Sequence, residues 1–178
     1  HIAIGSLCKF LRTDISQFKK GDFKNYLISP DINRQTKTLF PSTKGLKIGI
    51  SWHSFANKNA SRRSLSVNEV SNIITASDNT FINLQYGDIE KQLDQIEQLS
   101  NKNINAISGI NLTENLHGLA SIINNCDLII TIDNSTAHLA ASLGKPVWIL
   151  LPYFNDFRWM EESDLSIWYE WCNKLAII

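Results

Sequence analysis

The 178-residue chain lacks most of the signals that would announce a chemistry directly. Its three cysteines, Cys8, Cys126 and Cys172, have no metal-ligand spacing, and an odd count argues against a closed disulfide framework. Reduced thiols point to the cytoplasm. Seventeen basic and seventeen acidic residues cancel, so the electrostatic footprint of a nucleic-acid partner is missing. No apolar run approaches the ~20 residues of a membrane span. There is no Gly-x-Gly-x-x-Gly, which disfavours a dinucleotide-dependent dehydrogenase, and neither a Walker A sequence nor a Gly-x-Ser-x-Gly elbow is present. Nothing recurs at a period of roughly 20–50 residues. The chain opens on His1 and its one methionine is Met160, so a piece of a longer polypeptide is expected.

What is present suits one globular core, with 43% hydrophobic and 19% charged residues. Short apolar runs predict strands at 47–52, 80–85, 103–107, 128–132, 147–151 and 174–178. Amphipathic stretches alternate with them. Ser66-Val-Asn-Glu69 is a capping box opening a helix to about Ser77, Ile89 to Leu99 has helical spacing, and a further helix runs from Leu112 to Asn125 with Thr113 as N-cap. This alternation predicts an α/β fold, a Rossmann-like parallel sheet of about six strands with helices on both faces. Residues 1–45 read as a tail of a preceding domain and a linker, with a helix after Ser29-Pro30-Asp31. Residues 46–178 form the main domain.

The stretch from Asp127 to Leu151 carries the functional inference. A buried strand meets Asp133-Asn134-Ser135-Thr136, a small-residue helix follows, and Gly144 and Pro146 end it before the next strand. That helix starts at the carboxyl edge of the sheet, where ligands bind α/β folds and free N–H groups favour anions. Asn134, Ser135 and Thr136 are therefore candidates for an anion cradle, with His138 one turn inside. A capped turn that binds nothing, and a merely packed histidine, are equally open from pattern alone. The polar loop after the first strand (His53, Ser54, Lys58, Arg62, Arg63) reaches the same edge, or else is a solvated basic loop. Gln85 ends a strand there too.

The string Asp133-Asn-Ser-Thr-Ala-His-Leu-Ala-Ala-Ser-Leu-Gly-Lys-Pro-Val-Trp148 resembles the signature of glycosyltransferase family 9, the heptosyltransferase-like enzymes. It resembles still more the glycosyltransferase-like domains that follow tetratricopeptide repeats in bacterial proteins. The resemblance runs from about Lys47 to Trp171. It implies the C-terminal, donor-binding half of a GT-B fold and a metal-independent nucleotide-sugar glycosyltransferase, with inversion as the family outcome. It points Ser54, Arg63, Asp133, Asn134, Ser135, Thr136 and His138 to the donor phosphates, Asp133 also holding its turn. Arg158, past the carboxyl end of a strand, has a planar fork that suits a donor phosphate or a sugar carboxylate, or else it pairs with Asp156. The resemblance places Leu112 and Thr113 at the nucleoside, and Gln85, from its place at a strand end, is read as joining them or else as a surface amide. Asp156, Arg158 and Trp159 match an Asp-x-Arg-Trp stretch, and Ser166-Ile-Trp-Tyr169 departs from Ser-Pro-Trp-Tyr by Ile167.

The implied partners are a UDP-, ADP- or GDP-sugar, taken as substrate with no further cofactor, and a glycan, lipid or protein acceptor. The general base is expected in the other half of the fold. Two alternatives stand beside this reading. One is an inactive GT-B-like domain serving as a binding or interaction module, left open by Asn134 and Ile167. The other is a nucleotide-sugar epimerase of the same architecture.

Overall fold

The computed structural model describes residues 13–17, 27, 33–42, 45–55, 60–153, 159, 166, 168–169 and 172–177. After a single 3-10 turn, Ile15–Gln17, a short helix α1 (Asn33–Thr38) precedes the first strand, β1 (Lys47–Ser51). Then come α2 (Ala60–Arg63), α3 (Val67–Thr75), β2 (Thr80–Asn83), α4 (Glu90–Ser100) and β3 (Ile104–Asn105). The second half runs α5 (Leu116–Asn125), β4 (Leu128–Ile132), α6 (Ser135–Ser142), β5 (Val147–Pro152) and β6 (Cys172–Ile177).

All six strands pair in parallel, in the order β3-β2-β1-β4-β5-β6. Parallel strands need both faces covered, and β4 supplies both. Ile129 and Ile132 are fully buried, yet Ile129 joins a cluster with α5 and α6, while Ile132 joins one with α3 and α4. Helices thus lie on both faces of a Rossmann-like sheet, as the alternation predicts. Gly49 is where two core side chains crowd the middle strand. A Cβ there would stand 2.5 Å from Leu84 Cδ1 and 2.8 Å from Ile129 Cδ1.

The local signals act as their chemistry requires. Ser66 and Glu69 close both arms of the capping box on α3. Gly144 adopts φ 74° just beyond α6 and ends it. Strands β2 and β3 stop short of the sequence reading, at Asn83 and Asn105, so Gln85 lies two residues beyond its strand, and three further points differ. Thr113 does not cap α5: Asn111 Oδ1 accepts from the amides of Thr113 and Glu114, closing a separate turn, and Asn115 caps the helix by accepting from Gly118 N at 2.7 Å. The loop after β1 contains α2, a single helical turn. The last strand starts at Cys172, opposite Val147. Among the described residues no helix is long and apolar enough to cross a membrane.

Candidate functional site

The strand order reverses between β1 and β4, so the chain leaving these two strands parts at the carboxyl edge of the sheet. Asn134 occupies that corner. It is extended (φ −148°, ψ −179°) and caps α6, its Oδ1 accepting from Ala137 N at 3.2 Å and Thr131 Oγ1 at 3.1 Å. Its Nδ2 donates to Ser51 Oγ at 2.9 Å, tying the end of β4 to the end of β1. Ser135 is exposed and Thr136 is 1% exposed, in the first turn of the helix, where backbone N–H groups have no intrahelical partner.

Asp133 holds this turn from behind. Its Oδ1 accepts from Trp159 Nε1 at 2.8 Å, and its Oδ2 faces Arg63 Nη1 in a long, 3.4 Å ion pair. Arg63 reaches the corner because α2 brings it there. Two side-chain atoms at this corner, Arg63 Nε and Thr136 Oγ1, are buried and have no hydrogen-bond partner among the described residues. Buried polar groups are almost always paired, so two orphans together ask for a ligand or an ordered solvent molecule. His138 is half-buried, stacked on Trp159 (centroids 4.8 Å apart, 18° between planes), with Nδ1 3.2 Å from Tyr169 Oη. Its ring is a packed element of the corner. Ser54 is buried, and its amide donates to Ser64 Oγ at 3.0 Å, pinning the start of the loop to its end.

A cavity of about 370 Å³ opens beside β2 and β3, lined by Asn83, Gln85, Tyr86, Ile110, Leu112 and Thr113 among others. The three residues read as nucleoside contacts, Gln85, Leu112 and Thr113, therefore line one cavity. Gln85 is only 1% exposed, and its carboxamide works inside the fold: Oε1 accepts from Ser51 Oγ (3.1 Å), Trp52 N (2.9 Å) and His53 N (2.7 Å), and Nε2 donates to Tyr86 O (3.0 Å). Phe55, half exposed, lies over Gly87 (φ 93°), between His53 and Tyr86 at the rim; a Cβ on Gly87 would stand 2.5 Å from the ring.

Of the residues named from sequence, Arg63, Asp133, Asn134, Ser135, Thr136 and His138 come together at the corner of α6, and Gln85, Leu112 and Thr113 at the cavity. Arg158, with Asp156, lies outside the described residues. Sequence reasoning missed Ser51 and Asn83. Asn83 is buried, its Oδ1 accepting from Gln85 N at 2.9 Å and its Nδ2 donating to Gln85 O at 3.1 Å. The signal was available: each is a polar residue at the carboxyl end of an otherwise apolar strand. Among the described residues no group of three His, Cys, Asp or Glu side chains is gathered as a metal site would need.

No family model matches this chain. It is 29% identical to Protein FlbA of Caulobacter vibrioides, in an alignment covering 83% of this chain and 25% of that protein. Among solved structures it is similar to the crystal structure of a glycosyl transferase family 9 protein from Veillonella parvula, with a TM-score of 0.59 and 16% identity. That match covers 85% of this chain and 42% of the other. The chain thus spans about a quarter of the curated relative it matches, and what it shares with the solved structure is the fold.

Proposed function

We propose that this chain is mainly the donor-binding half of a metal-independent GT-B glycosyltransferase, with the diphosphate of a nucleotide sugar at the N-terminus of α6 and the nucleoside in the cavity beside β2. One observation carries the reading: Arg63 Nε and Thr136 Oγ1 are both buried and unpartnered where that helix begins. A diphosphate supplies acceptors for both, and the positive end of the helix and the guanidinium lower the energy of the charge that builds on it as the glycosidic bond breaks. Likeness in fold to a glycosyl transferase family 9 structure supports the same reading. The acceptor is a glycan, lipid or protein, and its general base belongs to chain outside this domain.

Isothermal titration with UDP, ADP and GDP tests the proposal. Heat is expected with at least one, and Arg63→Ala or Ser135→Ala should weaken that binding about tenfold or more while the thermal transition stays cooperative. No heat with any of the three would overturn it.

A second reading is a domain that keeps this fold as an interaction module. The packing of Asp133 and His138 by Trp159 favours it, because that part of the corner is already filled. It predicts that Arg63→Ala and Ser135→Ala leave nucleotide titrations as flat as the parent's.

A further inference from the structure

Past Ser51 the backbone leaves the β1 ladder, and the amides of Trp52 and His53 need other partners. One side-chain oxygen, Gln85 Oε1, takes both, together with the hydroxyl of Ser51. Ser51 Oγ in turn accepts from Asn134 Nδ2, and Asn134 Oδ1 caps α6 at Ala137 N, an amide that the Asn134 carbonyl also holds at 3.2 Å, so Ala137 reports the position of the whole residue. At the other end, Gln85 Nε2 holds the carbonyl of Tyr86, a wall of the cavity. A single hydrogen-bonded line therefore runs Tyr86–Gln85–Ser51–Asn134–α6 under the carboxyl ends of β2, β1 and β4. Gln85, Ser51 and Asn134 are respectively buried, buried and half-buried. In such a setting each bond is strong and each broken one is costly, so the members move together.

We propose that Gln85 is a positioning residue: through Ser51 and Asn134 it fixes the N-terminus of α6 relative to the wall of the cavity, so that occupancy of one is felt at the other. The coupling is a property of the fold; its consequence for nucleotide binding rests on the donor-site reading above. Gln85→Met removes both the acceptor and the donor at nearly constant size. Gln85→Glu keeps the acceptor toward Trp52 and His53 but sets an oxygen against the Tyr86 carbonyl. Ser51→Ala cuts the line in the middle and leaves both ends in place.

Amide hydrogen exchange reads the line directly, with nucleotide titration beside it. In Gln85→Met, protection at Trp52, His53 and Ala137 should fall by about tenfold or more, while Leu93 in α4 keeps its own. Gln85→Glu should restore Trp52, His53 and Ala137. Ser51→Ala should lower Ala137 alone, which keeps the test decisive if Gln85→Met fails to fold. Unchanged protection at Ala137 in Ser51→Ala would overturn the coupling. If the parent binds none of UDP, ADP and GDP, the donor reading fails, and the exchange pattern still decides whether the line couples the two places. If the parent binds but Gln85→Glu and Ser51→Ala bind equally well, the line is structural only and the proposed consequence falls.

Discussion

Cys126 follows the last turn of α5 with its thiol inside the core, 1% exposed, Sγ donating to the Ile122 carbonyl at 3.4 Å. Burial pushes this thiol up to about 12 from an ordinary 9.0, Lys145 opposing the shift and Asp127 adding to it. The native state keeps the proton where the unfolded chain loses it. The contribution of this thiol to stability is therefore intact below pH 9 and is lost as the pH rises from 9 towards 12. One such thiol makes the fall steeper by roughly 1 kcal/mol per pH unit. Urea unfolding of the parent and of Cys126→Ala across that range should give curves that converge as the pH rises. Parallel curves would mean that the folded protein ionises this thiol as readily as the unfolded chain does. The same burial makes Cys126 unreactive to thiol reagents in the folded protein, so it serves packing and not chemistry. Nothing in the sequence distinguishes Cys126 from a reactive cysteine, because reactivity depends on the neighbours that the fold assembles.

At the scale of the element, α3 is the part most fully legible in advance. Its capping box needs only residues three apart, and both arms form: Ser66 Oγ accepts from Glu69 N, and Glu69 Oε2 accepts from Ser66 N at 2.7 Å. The bonds from Ser66 hold the Glu69 carboxyl below its usual value, so their contribution is present above pH 4.5 and lost as the pH falls through the lowered value. Ser66→Ala should cost about 1 kcal/mol at neutral pH. Part of that difference should vanish in acid, as chemical denaturation at pH 7 and pH 3 would register. A difference independent of pH would assign the whole effect to the Ser66 hydroxyl. The start of α5 was harder to read. Asn111, Thr113 and Asn115 are all good cap residues two apart, and only the turn closed by Asn111 decides that the helix waits for Asn115. Gly49 is a similar case. A glycine inside a strand is visible in the sequence, but its reason, the approach of Leu84 and Ile129 from other elements, is not.

Over the whole molecule, what sequence reasoning could not see is contact between distant segments. The string from Asp133 to Trp148 located the corner of α6, yet the bond from Trp159 to Asp133 and the line from Gln85 to Asn134 join residues that only the sheet order brings together. Residues 1–45 pose the same question on a larger scale. In isolation they have too few apolar positions for a core of their own, and they read as an appendage. Yet Phe40 packs against the cluster that contains α5 and α6, Ser121 Oγ, fully buried, donates to Thr36 Oγ1 at 2.8 Å, and Leu27 N donates to the carbonyl of Ser142 at 3.0 Å. A protein shortened to residues 46–178 would lose the Ser121–Thr36 hydrogen bond and uncover the apolar surface under Phe40. The loss should be about 3 kcal/mol, the sum of a half-buried aromatic ring and one buried hydrogen bond. Thr36→Val in the full chain isolates the second part and should cost about 1 kcal/mol. Urea midpoints of the three proteins check the sum. Should the shortened protein unfold at the parent's midpoint, the stretch before β1 is a tail after all, and the domain closes its core without it.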